Sequence, residues 1–390
     1  MTQFRKTLLL GALGLLASTA LAAAEPVKIG FLSTLSGPAA PLGVHMRDGF
    51  MLAVKELGGK LGGQPTEIIV VDDEQKPDVA VTKAKALLDR DKVDVVAGTV
   101  FSNVLMAVSK PVLENETFLI SANAGPSPLA GKSCSPYFFA ASYQNDQVHS
   151  VMGQHAQDKG FKRVVLLTPN YQAGKDAMAG FKRHFKGEVV EEIFTPLGQL
   201  DFSAELAKIA ALKPDAVFTF MPGGMGVNLV KQYRQAGLAE SIPFLSGFTV
   251  DETTLPATQD AAVGLFAGAE WAPDIDTPEN KAFVAAFEKE YGVVPSLYAA
   301  QGYDAAKLID GALKATGGKV SDKEAFRKAL ASAPFTSVRG PFAFNTNGFP
   351  IQDFFVVKAV KRPDGKYATA VEARVFEKAA DAYAADCKLK

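Results

Sequence analysis

The chain has 390 residues, of which 48% are hydrophobic, and its 41 basic and 42 acidic side chains give a formal net charge of −1. A near-neutral chain without basic blocks argues against nucleic acid and against anionic membrane surfaces as partners. The length is sufficient for two domains of ordinary size.

Residues 1–24 have the pattern of a secretory signal peptide. Arg5 and Lys6 precede an apolar stretch at 8–21, and small residues at 20–24 resemble a cleavage site. The stretch is too short and wrongly flanked for a membrane span. Cleavage removes two positive charges and changes the formal charge from −1 to −3. We therefore expect an exported protein.

Through the first third of the mature chain, short apolar runs alternate with segments in which apolar residues recur at helical spacing. The predicted strands are 27–32, 66–71, 93–96 and 117–120, and the predicted helices are 43–57, 77–90 and a helix that opens at 102–103. Pro111 falls inside the last of these, so that helix should kink or end there. Strand alternating with helix is typical of a parallel sheet covered on both faces.

The segment 137–146 interrupts this rhythm, with Asn145 and Asp146 as the expected cap of a helix over 148–159. Strands are then predicted at 163–167, 189–194, 216–220, 244–248 and 264–269, and residues 270–274 break the pattern again. Helices at 278–291, 298–316 and 322–331 precede a strand near 342–344 and a hairpin formed by 353–360 and 367–375. The sequence therefore predicts two α/β units with three crossings between them.

Two predicted strands, 93–96 and 117–120, end in loops that should lie side by side. The carboxyl edge of a parallel sheet is where open α/β sheets bind ligands. Ser102 and Asn103 follow the first strand at a helix N-terminus, where free N–H groups attract an anion. No nucleophile with a neighbouring base is present, so the stretch indicates binding and not catalysis.

Four segments stand in the order seen in the periplasmic leucine/isoleucine/valine-binding protein family: 31–38, Asp72–Asp73, 98–102 and 235–238. The chain resembles this family over essentially its whole mature length. The resemblance implies a type I periplasmic binding protein, an α/β fold of two lobes, each a mostly parallel sheet flanked by helices, joined by three hinge crossings. We expect lobe 1 at 25–143 with 272–346, and lobe 2 at 144–271 with 347–390.

The resemblance also implies a solute receptor in the periplasm that serves the membrane permease of an ABC transporter, without a cofactor and as a monomer. Ser102 matches the hydroxyl that binds the ligand carboxylate, and Asn123 and Gly125 stand where the family holds the other end of an amino acid. Phe248 falls where amino-acid receptors place a glutamate for the α-ammonium group. Leu42 and Ala173 replace tyrosines. The chain is most similar to the branch of the family that binds aromatic acids.

The predicted ligand is accordingly a small organic acid, an aromatic carboxylate. The ten residues predicted to bind it are His45, Phe101, Ser102, Asn103, Asn123, Gly125, Tyr171, Gly223, Phe248 and Tyr298. Three alternatives stay open: a receptor for branched-chain or other amino acids, a ligand-sensing domain of the same fold, and an exported hydrolase.

Cys134 and Cys387 are the two cysteines of the chain. An isolated pair in an oxidising compartment favours a disulfide, with two separate thiols as the alternative. The four histidines show no metal-binding spacing; His149 and His155 are six residues apart and do not share a helix face as i, i+4 ligands would. We therefore expect no metal site.

Overall fold

The structure is a computed structural model that describes residues 25–389, so the predicted signal peptide lies outside the described residues. The first of two sheets has six strands. Across the sheet they are β2 (Lys60–Leu61), β3 (Gln64–Asp72), β1 (Val27–Ser33), β4 (Val95–Gly98), β5 (Phe118–Ser121) and β6 (Phe138–Ala140). All neighbours pair in parallel except β2 with β3. This is the predicted α/β arrangement.

The second sheet has eight strands. In spatial order they are β12 (Phe342–Phe344), β13 (Pro350–Lys361), β11 (Phe266–Ala269), β10 (Phe244–Gly247), β9 (Ala216–Thr219), β7 (Arg163–Pro169) and β8 (Glu188–Thr195), while β14 (Tyr367–Ala379) pairs with β13. Strands β7 to β11 pair in parallel, and β13 is antiparallel to β11, β12 and β14. The predicted hairpin is therefore present and longer than expected.

Helices flank both sheets. They are α1 (Ala40–Glu56), α2 (Pro77–Asp89), α3 (Ser102–Glu114), α4 (Ser127–Ala130), α5 (Asn145–Asp158), α6 (Gln172–His184), α7 (Ser203–Leu212), α8 (Gly224–Gln235), α9 (Leu255–Thr258), α10 (Pro278–Tyr291), α11 (Leu297–Ala315) and α12 (Lys323–Ala331). Helix α3 does not end at Pro111 but continues for another three residues. Within residues 25–389, no helix combines the length and the apolar character needed to cross a membrane.

Helices α5 and α6 pack backbone to backbone, which fixes the side chains of α5 relative to the second sheet. A Cβ atom on Gly153 would lie 2.1 Å from the carbonyl oxygen of Phe181, and one on Gly180 would lie 2.3 Å from that of Asp146. Both distances are impossible for real atoms, so each helix supplies a glycine where the other helix touches it. This close packing holds the N-terminal half of α5 under the second sheet.

The chain passes between the two sheets three times: after β6, after β11 and after α12. Arg339, in the third pass, is 2% exposed and pairs with the buried carboxylate of Asp304 on α11 at 2.9 Å. Its guanidinium group also donates to the carbonyl oxygen of Ser142 in the first pass (2.6 Å) and to Oε1 of Gln352 on β13 (2.9 Å). One buried cation therefore joins two passes, and such a group is costly to leave unpaired.

Cys134 and Cys387 form a disulfide with their Cα atoms 5.7 Å apart, which confirms the predicted bond. The C-terminal segment that leads to Cys387 is also anchored on the way: the Tyr383 hydroxyl donates to Asp146 (2.7 Å) and Asn347 donates to Asp381. The exact lobe boundaries and the hinge role of the three passes remain predictions. Strand β12 pairs within the second sheet although it precedes the boundary predicted at 346.

Candidate functional site

A cavity lies where the loops after the strands of both sheets face each other. It is lined by Leu42, Val100, Phe101, Ser102, Asn123, Ala124, Tyr143, Asn145, His149, Tyr171, Ala173, Phe220, Pro222, Phe248 and Tyr298. Its open space, including the mouth, is about 330 Å³, but the enclosed part has room for about one water molecule. The walls of the cavity therefore lie close together in this arrangement.

Ser102 forms the polar end of the cavity on the side of the first sheet. Strand β4 ends at Gly98, a short loop follows, and α3 begins at Ser102 with no capping side chain on Phe101. The first N–H groups of a helix lack partners within the helix and favour an anion. Ser102 is 1% exposed, and its Oγ accepts a hydrogen bond from Nδ2 of Asn145 at 3.1 Å. The hydroxyl hydrogen of Ser102 has no acceptor among the described residues.

The loop after β5 forms the adjacent wall, and its polar groups serve mainly to hold the loop. Nδ2 of Asn123 donates to the carbonyl oxygen of Val100 at 2.7 Å, and its Oδ1 accepts from the Tyr143 hydroxyl at 3.1 Å. A Cβ atom on Gly125 would lie 2.0 Å from the carbonyl oxygen of Tyr143. Glycine at 125 therefore allows this loop to reach the first pass and brings Tyr143 to the cavity.

The remaining walls are largely aromatic. Phe248 stacks on Tyr143 with ring centroids 5.0 Å apart, and it lies 6.1 Å from both Phe220 and Tyr298. Tyr171 stacks on Phe220 at 6.1 Å. Phe248 has a φ of +54°, in the left-handed region that costs a non-glycine residue about 1–2 kcal/mol. Backbone strain of this kind is concentrated at functional sites.

None of the described residues that line the cavity is a lysine, an arginine or a carboxylic acid. Asp251 and Glu270 lie behind the wall near Tyr298, and both are fully buried acids. Burial raises the pKa of each carboxyl group, and one oxygen of each has no hydrogen-bond partner among the described residues. The cavity itself therefore presents hydroxyl, amide and imidazole groups but no fixed charge.

A polar cluster joins the two lobes at the edge of the cavity. Asp176, on α6, is 3% exposed and accepts from Nδ2 of Asn145 (2.8 Å), from the Ser127 hydroxyl (2.7 Å) and from Gln172 (2.8 Å). Oδ1 of Asn145 accepts from the N–H of Gly125 at 3.0 Å. The carboxylate of Asp176 thus links the second sheet to loops of the first, next to Ser102.

Comparison with known proteins identifies the family. A model of the periplasmic binding protein family matches residues 26–366. The chain belongs to this family. The Leu/Ile/Val-binding protein homolog 6 of Brucella melitensis is 32% identical over 391 residues, which cover 96% of this chain and 98% of that protein. The predicted resemblance is confirmed.

Solved structures of similar binding proteins hold aromatic acids. A solute binding protein of an ABC transporter from R. palustris, in complex with benzoate, is 36% identical with a TM-score of 0.88 and covers 93% of this chain and 100% of its own. A second, from Rhodopseudomonas palustris BisB5 in complex with 3,4-dihydroxy benzoic acid, is 32% identical with a TM-score of 0.84 and covers 92% and 99%. These likenesses also confirm the two-lobed fold.

Six of the ten predicted ligand-binding residues line the cavity of this periplasmic binding protein: Phe101, Ser102, Asn123, Tyr171, Phe248 and Tyr298. Phe248 lines the cavity, whereas Asp251 and Glu252 do not. Whether the six contact ligand remains a prediction.

The other four predicted residues lie outside the cavity lining. Oδ1 of Asn103 is buried and has no hydrogen-bond partner within residues 25–389, and Gly125 acts through its contact with Tyr143. Gly223 packs near Leu42, where a Cβ atom would be 3.0 Å from Cδ1. His45 lines a separate groove together with Glu252, and burial lowers its pKa to about 4. His45 lies on the first turns of α1, and its ring faces Phe287, with 5.8 Å between the ring centroids, and not Ser102.

Sequence reasoning missed Tyr143, Asn145, His149 and Phe220. The expected capping role of Asn145 and Asp146 is wrong, because Gln144 caps α5 in a reciprocal pair with Gln147. Asn145 instead bonds to Ser102 and Asp176, as described above. The spacing of Asn145 and His149, four residues apart on one helix face, was the available signal.

Proposed function

We propose that this protein is a periplasmic solute-binding receptor that captures an aromatic carboxylate between its lobes and delivers it to the membrane permease of an ABC importer. One observation carries the proposal: the cavity joins a helix N-terminus and the Ser102 hydroxyl to walls of aromatic rings, and none of the described residues that line it is a carboxylic acid. Such a site offers donors to an anion at one end and apolar stacking surface to a ring elsewhere.

The ligands of the two solved R. palustris proteins support the same chemistry, because benzoate and 3,4-dihydroxy benzoic acid are both aromatic carboxylic acids. The enclosed space has room for about one water molecule, so the walls must move apart to admit a ring. The protein acts by binding and not by catalysis, as a monomer, and closure of the lobes excludes water from the anion.

The hydrogen bonds of Asp176 with Ser127 and of Asn145 with Ser102 hold the closed form. They join the two lobes beside the cavity, so a ligand bound to Ser102 stabilises the same arrangement. Opening the lobes would break the contacts of Asp176 with Ser127 and expose the cavity. Capture then follows the hinge closure known for two-lobed binding proteins.

An amino-acid ligand is the alternative, favoured by the Leu/Ile/Val-binding name of the Brucella melitensis homologue. An α-ammonium group buried without a counter-charge costs several kcal/mol. Phe248 occupies the position that would have to supply that charge, and Asp251 does not reach the cavity lining. The geometry therefore favours a ligand without an ammonium group.

The test is calorimetric titration of protein that has been unfolded and refolded to remove any bound ligand. Benzoate, 3,4-dihydroxybenzoate and cinnamate are compared with leucine, isoleucine and phenylalanine, and with benzamide as the neutral match for benzoate. We expect binding of the acids, raised melting temperatures in their presence, and no binding of the amino acids or benzamide. Tight binding of leucine with no response to any aromatic acid would overturn the proposal.

A further inference from the structure

His149 is a buried histidine in the wall of the cavity that no step above has used. It lies on α5, is 1% exposed, and is surrounded by the rings of Phe220 (5.0 Å between centroids), Phe218 (5.6 Å) and Phe248 (5.8 Å). A neutral imidazole in such a place would be packing alone if its nitrogens were satisfied. Its Nδ1, however, is buried and has no hydrogen-bond partner among the described residues.

The backbone of β10 is shaped to accept this ring. An ideal Cβ atom on Gly247 would lie 2.5 Å from Nδ1 and 2.7 Å from Cε1 of His149. Any side chain at 247 would therefore push the imidazole from its place. A polar ring that is buried, incompletely paired and given room by a glycine is an expensive arrangement for packing alone. Because Nδ1 faces Gly247, Nε2 is the nitrogen available to a ligand in the cavity that the ring lines.

Among the described residues that line the cavity, His149 is the one basic side chain. Phe218 on β9, Gly247 on β10, and Phe220 and Phe248 in the loops that follow these strands face the ring, and none of them titrates. Asp176 on α6 is already bonded to Ser127, Asn145 and Gln172. The phenols of Tyr143, Tyr171 and Tyr298 share the cavity, with the buried acids Asp251 and Glu270 behind them. On its own helix, Asp146 is paired with Arg183 and Tyr383.

In the empty cavity burial lowers the pKa of His149 to about 3, so the imidazole is neutral at physiological pH. A ligand carboxylate beside the ring would favour the protonated imidazole. His149 stands four residues after Asn145 on the same helix face, and side chains with this spacing lie about 5–6 Å apart at Cβ. Asn145 is itself hydrogen-bonded to Ser102. A carboxylate that accepts from Ser102 is therefore within reach of the imidazole.

We propose that His149 takes up one proton from solvent as the carboxylate enters and becomes its counter-ion in the closed cavity. The proposal rests on the function proposed above and specifies how a cavity without lysine or arginine neutralises an anion. No covalent bond changes: a neutral imidazole, a proton and a carboxylate become an imidazolium–carboxylate pair. The binding site would then prefer the ionised acid and would bind it more tightly at lower pH.

The test is titration of refolded protein with benzoate at pH 6, 7 and 8, in phosphate and in Tris, whose different ionisation enthalpies reveal proton uptake. We expect uptake of up to one proton per benzoate and an affinity that falls as pH rises, by at most about tenfold per unit. His149→Gln should abolish the uptake and flatten the pH profile. His155→Gln is the matched control, because His155 lies on the same helix but outside the cavity, 5.3 Å from Phe266.

A second measurement does not depend on the variant. The ¹⁵N shifts of the histidine side chains in the wild-type protein should show one imidazole that is neutral when empty and doubly protonated with benzoate. Binding of benzoate without proton uptake, or uptake that persists in His149→Gln, would overturn the inference and leave the proposed function intact. Failure of the wild-type protein to bind any aromatic carboxylate would overturn both.

Discussion

Replacement of Ser102 by alanine removes the hydroxyl that the structure leaves free for an anion. Oγ of Ser102 accepts one hydrogen bond, from Asn145 at 3.1 Å, and its own hydrogen has no acceptor among the described side chains. A hydrogen bond to a charged group contributes about 1.5–3 kcal/mol. Since about 1.4 kcal/mol corresponds to a tenfold change, Ser102→Ala should raise the Kd for benzoate by roughly 10- to 150-fold.

The fold should tolerate this change. Asn145 loses one acceptor but keeps its bond to Asp176 at 2.8 Å. One lost neutral hydrogen bond costs about 0.5–1.5 kcal/mol, so the melting temperature of the empty protein should fall only slightly. The loss of affinity is then separable from a loss of folded protein.

Calorimetric titration gives the Kd, and Ser109→Ala is the matched control. Ser109 lies on the same helix, and its Oγ donates to the carbonyl oxygen of Met106 at 2.9 Å, away from the cavity. The control should bind benzoate as the wild type does. An unchanged Kd in Ser102→Ala, with the melting curve intact, would refute the assignment of the anion to the N-terminus of α3.

Three further outcomes are expected. Phe248→Glu should weaken benzoate binding at least tenfold in calorimetry, because it places a second negative charge beside that of the ligand. Phe248→Leu should weaken binding less. Equal losses of affinity in the two variants would contradict an electrostatic cause. Replacement of Cys134 and Cys387 by serine should lower the free energy of unfolding in urea by at most about 5 kcal/mol, since the bond closes a long loop in the unfolded chain; two reactive thiols in denatured, unreduced wild type would show that the bond does not form. Burial raises the pKa of Glu252 from 4.5 to about 7, so its contribution to the free energy of unfolding is lost as pH rises between these values. Glu252→Gln keeps an oxygen that accepts from Thr369. This variant should be more stable than wild type at pH 8 by up to about 3 kcal/mol and similar in stability at pH 5. A stability difference that is larger at pH 5 would contradict this sign.

The sequence predicted the parts of the site that are local. The end of β4 and the start of α3 each follow from a short pattern of apolar residues and a turn, whereas Phe248 was indicated by the resemblance to the family. The cavity itself joins residues as distant as Ser102 and Tyr298, and no local pattern indicates which of the abundant aromatic residues will meet there. Phe220 and Tyr143 could not be told from core residues for this reason.

Asn145 and His149 were missed for a different reason. Asparagine at the start of a helix commonly caps it, and that ordinary role concealed the bonds of Asn145 to Ser102 and Asp176. Glutamine is a less common cap, so Gln144 gave no signal. The disulfide, in contrast, was predicted without any geometry, because compartment and cysteine count were sufficient.

Arg339 has a mechanical consequence. Its guanidinium group holds Ser142 of the first pass, Gln352 of β13 and Asp304 of α11 in one buried cluster. A rotation that separates the lobes costs the least free energy if its axis runs close to that cluster. Atoms near the axis move little, so their hydrogen bonds stay formed. Displacement then grows with distance from Arg339. Probes placed on opposite lips of the cleft, far from this residue, should therefore report the largest change in separation when ligand binds.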